Sequence, residues 1–276
     1  MMERQQVRVG DLEFDLRVWG PRDGRPVVLL HGFPETGHSW EGVAAALAAD
    51  GFRLIAPDQR GYSPGARPAE VREYRVDLLA GDVLGILDAF EIDSAHVVGH
   101  DWGAIVAWEL AAKHPDRVRS LVAVSVPHPA AMVWALKNDP AQKRKSAYIA
   151  FFRKRRVPER VLLAFGGAAL KLLYGRHVDR ESKRAYLAVL REPGALTAAL
   201  NWYRAMSRGF GELPAVRVPT TYLWSTKDVA LGETAARRCG HHVEGDYEFE
   251  VLDGISHWIP EEAPEAVAAA VRKRVG

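Results

Sequence analysis

Residues 96–104 read His-Val-Val-Gly-His-Asp-Trp-Gly-Ala, and this stretch determines how the rest of the chain is interpreted. An apolar run typical of a β-strand reaches a turn flanked by Gly99 and Gly103, and a helix-like segment at 104–113 follows at once. Glycine at both positions lets the backbone turn sharply, which is the pattern of a nucleophile elbow. The apex of the turn is Asp101 rather than serine or cysteine. We therefore expect Asp101 to be a nucleophile.

Short apolar runs alternate with helix-like segments on both sides of this stretch. Predicted strands lie at 7–9, 12–19, 26–30, 52–56 and 118–125, and predicted helices at about 39–49 and 77–90. The run at 26–30 is apolar throughout, as expected of a strand buried on both faces of a parallel sheet. This alternation predicts an α/β protein with a doubly wound, mostly parallel sheet.

The pattern changes between residues 128 and 213, where the segments are helix-like and no convincing buried strand occurs. Strands resume at about 219–224 and 247–252, and a last helix begins near 264. We therefore predict a core formed by residues 1–127 and 214–276, with a helical cap (lid) of residues 128–213 inserted before the strand that precedes Asp228. Ligands bind at the carboxyl ends of strands in such sheets, so the insertion is expected to cover that edge.

Charge is distributed unevenly along the chain. The insertion has 17 basic and 6 acidic residues, a net charge of +11, whereas the whole chain of 276 residues has a net charge of +2. A net charge so close to zero for the whole chain gives no support to nucleic-acid binding. A solvated, arginine-rich surface is the simpler interpretation of the insertion. Attraction for anionic substrates or for an anionic membrane surface is the alternative.

Signals of several other protein classes are missing from the sequence. Cys239 is the one cysteine, so no disulfide can form within the chain. No HExxH, CxxC or glycine-rich phosphate loop occurs, and we predict neither a metal nor a cofactor. No apolar run is long enough to span a membrane, and the N-terminus has no secretory signal. We expect a cytoplasmic protein, either a monomer or a homodimer.

Two further residues lie in the order that the elbow chemistry requires. Asp228 follows the predicted strand at 219–224, and His257 follows the strand at 247–252. The carboxyl ends of parallel strands meet at one edge of a sheet, so both side chains are expected near Asp101. Nucleophile, acid and histidine occur in this order in hydrolases with such an elbow. The strand before the insertion ends at Ser125, which is not a carboxylate, so the acid role falls to Asp228.

These residues resemble the α/β-hydrolase superfamily and, within it, the epoxide hydrolase family. The matching motifs are His31-Gly32-Phe33-Pro34-Glu35, Asp58-Gln59-Arg60-Gly61-Tyr62-Ser63, Gly99-His100-Asp101-Trp102-Gly103 and Gly254-Ile255-Ser256-His257-Trp258, together with Asp228. They occur in order along nearly the whole core, and the insertion matches the cap domain of the family. The resemblance implies that His31, Gly32, Pro34 and Trp202 belong to the motif or the pocket that meets the substrate.

Two tyrosines of the insertion make the resemblance to epoxide hydrolases more specific. Tyr203, in Leu-Asn-Trp-Tyr-Arg at 200–204, has a context similar to that of a ring-opening tyrosine in this family. Tyr148, in Ser-Ala-Tyr-Ile-Ala-Phe-Phe at 146–152, is a looser match, because family members often have Gln where this chain has Arg153. The resemblance implies that both hydroxyl groups donate to the epoxide oxygen.

An aspartate nucleophile favours attack at saturated carbon. A carboxylate is ionised at neutral pH and needs no base, but its attack on an ester would give a less stable anhydride. Displacement at carbon gives an alkyl ester on Asp101, and His257, oriented by Asp228, then activates the water that hydrolyses it. The backbone N–H groups of Phe33 and Trp102 are expected to form the oxyanion hole.

The leaving group separates two possible reactions. An epoxide oxygen leaves as a basic alkoxide that needs a donor such as tyrosine, which predicts conversion of a small-molecule epoxide and water to a vicinal diol. A halide needs only N–H donors, and Trp102, Trp134 and Trp202 keep a haloalkane dehalogenase as the alternative. Phe33 and Ile105 stand where dehalogenating relatives have polar residues, which weighs against it. A non-catalytic ligand-binding protein on the same fold is the third possibility.

Overall fold

One eight-stranded sheet forms the centre of the structure, a computed structural model that describes residues 2–206 and 209–276. The strands are β1 (Met2–Val9), β2 (Leu12–Trp19), β3 (Arg25–Leu30), β4 (Phe52–Pro57), β5 (Ala95–His100), β6 (Val118–Val124), β7 (Thr220–Ser225) and β8 (Tyr247–Leu252). Their order in the sheet is β1-β2-β4-β3-β5-β6-β7-β8. Pairing is antiparallel for β1–β2 and β2–β4 and parallel from β4 to β8. The prediction of a doubly wound, mostly parallel sheet is confirmed.

Helices connect the strands and form the insertion. Those of the core are α1 (Glu41–Ala46), α2 (Val76–Ala89), α3 (Trp102–Lys113), α10 (Glu233–Arg238), α11 (Ile259–Glu262) and α12 (Pro264–Val275). Between β6 and β7 lie α4 (Pro129–Asn138), α5 (Pro140–Lys145), α6 (Tyr148–Phe152), α7 (Val157–Tyr174), α8 (Arg180–Leu190) and α9 (Ala195–Ala205). In the described part of the chain, no helix is long and apolar enough to cross a membrane.

Two elements differ from their predicted bounds. The first strand begins at Met2 rather than at residue 7, because its whole length pairs with β2 as far as Trp19. The helix expected at 39–49 is a 3₁₀ turn, Gly37–Trp40, followed by the shorter α1. Residues 47–51 turn instead of continuing the helix, because Gly51 adopts a left-handed conformation (φ 69°) that leads into β4.

The core consists of two apolar layers, one on each face of the sheet. Side chains alternate between the faces of a strand. Val28 and Leu30 of β3 pack towards α2 and α3, whereas Val27 and Leu29 pack towards α1 and α12. Burial on both faces explains why this strand is a continuous apolar run. The carboxyl ends of β5, β6, β7 and β8 meet at one edge, where the loops that carry polar side chains begin.

Candidate active site

Asp101 occupies a sharp turn between β5 and α3. Its backbone angles (φ 50°, ψ −116°) lie outside the regions that residues with side chains usually adopt. A Cβ atom on Gly99 would lie 2.3 Å from the carbonyl oxygen of Gly103, and one on Gly103 would lie 2.0 Å from that of Leu30. Neither glycine can therefore carry a side chain without displacing backbone. This is the strand–turn–helix geometry that the sequence predicts.

A backbone N–H group from the loop after β3 holds the Asp101 carboxylate. The N–H of Phe33 donates to Asp101 Oδ1 at 2.8 Å. Trp102 is the first residue of α3, where a backbone N–H has no acceptor within the helix. A Cβ atom on Gly32 would lie 2.4 Å from that of Asp101, so the loop after β3 passes in direct contact with the apex. Asp101 is only 7% exposed, and these dipoles act on it in a site that excludes most water.

Asp228 and His257 meet Asp101 at this edge of the sheet. His257 Nδ1 lies 2.8 Å from Asp228 Oδ2, and His257 Nε2 lies 3.7 Å from Asp101 Oδ2. The carboxylate of Asp228 can only accept, so Nδ1 carries a proton and Nε2 is directed at Asp101. The N–H groups of Ala230 and Leu231 donate to Asp228 Oδ1 at 2.7 and 2.9 Å. The structure thus brings the three predicted residues together, and we call them the Asp–His–Asp cluster.

The charges of the cluster stabilise one another. Burial lowers the pKa of His257, but the charge of Asp228, the hydrogen bond with Asp228 and the nearby charge of Asp101 raise it well above its ordinary value. Burial raises the pKa of Asp228, but the charge of His257 and several hydrogen bonds, including those from His257 and Ser125, lower it overall. The charge of Asp101 therefore favours the protonated form of His257, and its removal would favour the neutral form, which can accept a proton at Nε2.

Tyr203 on α9 lies beside two neighbours of Asp101, and Tyr148 on α6 lies next to Tyr203. The ring of Tyr203 packs edge-on against Trp102 and Phe33, with centroids 5.0 and 5.4 Å apart, and Tyr148 is 6.3 Å from Tyr203. Burial raises the pKa of both hydroxyls, and the nearby charge of Asp101 adds to the effect. Both tyrosines therefore hold their protons at neutral pH and can act as hydrogen-bond donors.

Comparison with known proteins places this site in a family. The family model described as alpha/beta hydrolase fold matches residues 25–264. Over 271 residues the chain is 37% identical to AB hydrolase superfamily protein YfhM of Bacillus subtilis, covering 95% of this chain and 94% of that protein. It is 31% identical to Epoxide hydrolase A of Mycobacterium tuberculosis, covering 90% of this chain and 89% of that protein. This chain belongs to the α/β-hydrolase superfamily and its epoxide hydrolase family.

A solved structure agrees with this assignment. Epoxide Hydrolase A of Mycobacterium thermoresistibile superposes on this α/β hydrolase with a TM-score of 0.88 at 27% sequence identity. The superposition covers 100% of this chain and 98% of that one. The fold and the family that the motifs predict are therefore confirmed.

Ser125 also contacts Asp228 in this hydrolase. The sequence of the chain does not suggest a role for Ser125. The Ser125 hydroxyl donates to Asp228 Oδ2 at 2.6 Å and lies 2.9 Å from His257 Nδ1. Ser125 is fully buried, and its left-handed backbone (φ 71°) directs the residue towards β7. The position of Ser125 in the sequence could have indicated this contact, because Ser125 follows β6, and β6 lies between the strands that precede Asp101 and Asp228.

A buried Glu–His pair supports the site from the opposite side. Glu35 Oε2 accepts from the N–H of Gly32 at 3.1 Å and from His100 Nδ1 at 2.9 Å. His100 Nε2 lies 2.8 Å from the carbonyl oxygen of His257. Burial raises the pKa of Glu35, whereas the charge and hydrogen bond of His100 and the N–H of Gly32 lower it overall. The pair thus connects the loop of Phe33 to the backbone that carries His257.

Glu261 lies next to Glu35 and shares its buried surroundings. Burial, the charge of Glu35 and a hydrogen bond between the two carboxyl groups raise the pKa of Glu261 well above its ordinary value. Glu35 Oε1 and Glu261 Oε2 are buried and have no donor among the described residues other than a carboxyl proton. The hydroxyl of Tyr186 donates to Glu261 Oε1 at 2.8 Å. The raised pKa of Glu261 and the lowered pKa of Glu35 favour a proton on Glu261 beside an ionised Glu35.

The other residues predicted at the motif or pocket are each held by a hydrogen bond to a neighbouring segment. His31 Nε2 accepts from the N–H of Gln59 (3.1 Å), the carbonyl of Pro34 accepts from the hydroxyl of Tyr174 (2.7 Å), and the indole of Trp202 donates to the carbonyl of Arg60 (2.9 Å). Burial lowers the pKa of His31, consistent with a neutral ring that accepts at Nε2. These bonds join the loop after β3 to the loop after β4 and to the helical insertion.

Proposed function

We propose that this α/β hydrolase is an epoxide hydrolase that forms an alkyl ester on Asp101. The observation that carries the proposal is that Asp101 lies beside His257, while Tyr203 packs on Trp102, the neighbour of Asp101, and Tyr148 packs next to Tyr203. The relatives named above as epoxide hydrolases support the same substrate class. Each part of the site corresponds to one step of the reaction.

In the first step Asp101 attacks an epoxide carbon. Oδ1 is held by the N–H of Phe33, so Oδ2 is the oxygen free to form the new bond. The ring C–O bond breaks as the ester forms, and its electron pair leaves on the epoxide oxygen. Tyr203 and Tyr148 donate hydrogen bonds to that oxygen and supply its proton. Such acid catalysis contributes about 10²- to 10⁴-fold to a rate.

In the second step His257 activates water. Esterification removes the charge of Asp101 and lowers the pKa of His257, so the Nε2 proton passes to the tyrosinate left by ring opening. The neutral imidazole then accepts a proton from the attacking water. Asp228 stabilises the imidazolium that results. The N–H groups of Phe33 and Trp102 stabilise the tetrahedral oxyanion. Collapse breaks the bond between the Asp101 carbonyl carbon and the ester oxygen, which leaves in the diol with a proton from His257. The carboxyl group that remains gives its proton back to His257, which restores the carboxylate.

The helical insertion, residues 128–213, acts as a cap in this proposal. It brings Tyr148 of α6 and Tyr203 of α9 against the core, where Tyr203 touches Phe33 and Trp102. The nearly complete burial of Asp101 follows from this covering. The cap therefore supplies the acid half of the site and excludes bulk water from the ester.

The alternative, dehalogenation, requires N–H donors directed at a halide. The indole N–H of Trp202 is already bonded to a backbone carbonyl. Trp134 is 38% exposed, with the guanidinium of Arg238 4.2 Å from its ring centroid. Phe33 offers no side-chain donor. Of the three tryptophans considered for this role, Trp102 alone retains a position next to Asp101, which makes an epoxide the better-supported substrate.

A single-turnover reaction in ¹⁸O-labelled water tests the ester. Enzyme in excess over an aryl epoxide should give unlabelled diol, because the new product oxygen comes from Asp101. The label should appear in the Asp101 peptide by mass spectrometry. Labelled diol with an unlabelled Asp101 would exclude the ester mechanism. Halide release from a matched haloalkane, without diol formation, would favour dehalogenation, and no turnover of either would favour a ligand-binding protein.

The two tyrosines provide a second test. The double variant Tyr203→Phe and Tyr148→Phe should open epoxides at least about 100-fold more slowly, because no acid remains for the alkoxide. Tyr74→Phe is the matched control, since Tyr74 is a fully buried tyrosine whose hydroxyl donates to the backbone carbonyl of Pro68. Pre-steady-state formation of the ester measures the step. Near-parental ring opening in the double variant would remove both tyrosines from the mechanism.

A further inference from the structure

Helix α7 presents large apolar side chains to solvent. Val157, Val161, Phe165, Leu172 and Leu173 form what we call the outer face of α7. Phe165 is 93% exposed and Leu172 is 81% exposed. The opposite side of the helix is buried through Pro158, Leu162, Leu170 and Tyr174. Single exposed apolar residues are ordinary, but five within one 17-residue segment are unusual and indicate a binding surface.

The most exposed of these side chains lies at a break in the helix. Residues 164–167 leave the helical conformation, and Phe165 itself is left-handed (φ 49°, ψ 43°). Left-handed backbone is unfavourable for a bulky residue. The Arg191 side chain of α8 donates to the carbonyl of Gly166 and holds the break in place. The fold thus maintains a Phe165 that projects into water.

Basic side chains surround this apolar face. They are the run Arg153-Lys154-Arg155-Arg156, followed by Arg160, Lys171 and Arg176, and all are exposed. Within residues 2–206 and 209–276, none of them forms a salt bridge with a carboxylate. The one acidic residue of the segment 153–176 is Glu159, which pairs with Arg204 at 2.7 Å. The segment therefore combines exposed apolar groups with positive charge that no carboxylate of the described residues pairs with.

We propose that the outer face of α7 binds the surface of an anionic lipid membrane. Phe165 and Leu172 enter the headgroup region, and the surrounding basic side chains contact the lipid phosphates and carboxylates. This combination is typical of helices that lie in the plane of a membrane interface. The inference concerns a surface outside the Asp–His–Asp cluster and does not depend on the reaction proposed for that cluster.

The charge and the apolar groups of this surface together argue against other binding partners. A second copy of the chain would bring two sets of unpaired basic residues together, which like-charge repulsion disfavours. A nucleic acid would match the charge but would leave Phe165 and Leu172 without an apolar environment. A zwitterionic bilayer would accept the apolar groups but would not attract the charges. An anionic bilayer alone satisfies both features.

Vesicle cosedimentation tests the proposal with the full chain. Vesicles of phosphatidylcholine with about 30% phosphatidylserine should bind it, and phosphatidylcholine alone should bind it at least about tenfold more weakly. The variant Arg155→Gln/Arg160→Gln/Lys171→Gln should bind about 100-fold more weakly, at about fivefold for each charge. Phe165→Ser/Leu172→Ser should lose about tenfold or more. All these positions are exposed, so the thermal midpoint should not change.

Matched controls remove charge and apolar area elsewhere on the surface. Arg4→Gln/Arg8→Gln/Arg22→Gln changes the net charge equally on the core, and Val251→Ser removes an exposed apolar side chain from β8. Both should bind like the parent chain. No binding of the parent to anionic vesicles, or equal losses in the controls and the α7 variants, would overturn the proposal. A dimer in light scattering that Phe165→Ser/Leu172→Ser dissociates, or RNA binding that competes with vesicles, would also overturn it.

Discussion

Replacing Ser125 by alanine tests how the Asp–His–Asp cluster divides its work between two steps. The change removes the hydroxyl that donates to Asp228 Oδ2 at 2.6 Å and leaves the Cβ atom in place. Ring opening needs no base, since the nucleophile is already a carboxylate. Ester hydrolysis needs His257 held and supported by Asp228. We therefore expect Ser125→Ala to slow the second step selectively.

The size of the effect follows from the remaining contacts of Asp228. A hydrogen bond to a charged group contributes about 1.5–3 kcal/mol. Asp228 Oδ1 keeps the N–H groups of Ala230 and Leu231, and Oδ2 keeps His257, so the carboxylate remains satisfied. We therefore take the lower end of the range. A loss of about 1.5 kcal/mol slows hydrolysis roughly tenfold, because 1.4 kcal/mol corresponds to a factor of ten.

Rapid chemical quench followed by mass spectrometry of the Asp101 peptide measures the ester directly. In Ser125→Ala the steady-state fraction of ester should rise severalfold, while its rate of formation stays within about threefold of the parent. Ser120→Ala is the matched control, because Ser120 is a buried serine of the same strand whose hydroxyl contacts His96 at 2.7 Å. Equal ester fractions in the two variants would refute the role assigned to Ser125.

Three other variants test the electrostatics and the packing of the site. Asp101→Asn removes a charge beside His257, so the pKa of the imidazole should fall in an NMR titration; an unchanged midpoint would contradict the charge coupling. The pKa of Glu261 is raised in the folded state. The free energy of unfolding of the parent chain should therefore fall as the pH rises from about 4.3, the pKa of this group in the unfolded chain, towards its pKa in the folded chain. Glu261→Gln should therefore gain unfolding free energy relative to the parent between about pH 5 and pH 8 in urea titrations, and a constant difference would mean that Glu261 is ionised beside Glu35. Gly32→Ala puts a Cβ atom 2.4 Å from that of Asp101 and should reduce turnover by about 100-fold, whereas normal turnover would show that the loop can move.

The position of the cluster could be predicted from the sequence because it depends on local patterns. Asp101, Asp228 and His257 each follow an apolar run that forms a parallel strand. Parallel strands align their carboxyl ends, so strand assignment alone brings the three side chains to one edge. Errors in the bounds of single elements, as in the helix expected at 39–49, do not affect this result.

The contacts that tune the cluster could not be predicted in the same way. Ser125 could be excluded as the acid, but its bond to Asp228 depends on a left-handed residue at the end of β6. The proton on Glu261 depends on a burial shared with Glu35, which is far away along the chain. Trp134 remained a possible halide ligand until the fold placed it at the surface beside Arg238. Each of these features is a tertiary contact between residues whose separate contexts are unremarkable.

The hydrogen bond from Phe33 gives the two oxygens of Asp101 different tasks in the proposed mechanism. Oδ1 accepts the N–H of Phe33 before any substrate binds, and Oδ2 faces His257 Nε2 at 3.7 Å. Attack by Oδ2 leaves Oδ1 as the carbonyl oxygen of the ester, already at the donor that must stabilise the oxyanion. The same rigid loop therefore orients the nucleophile in the first step and polarises the ester in the second. Because Glu35 holds that loop at Gly32 and is linked through His100 to the backbone of His257, both halves of the reaction depend on one buried hydrogen-bond network.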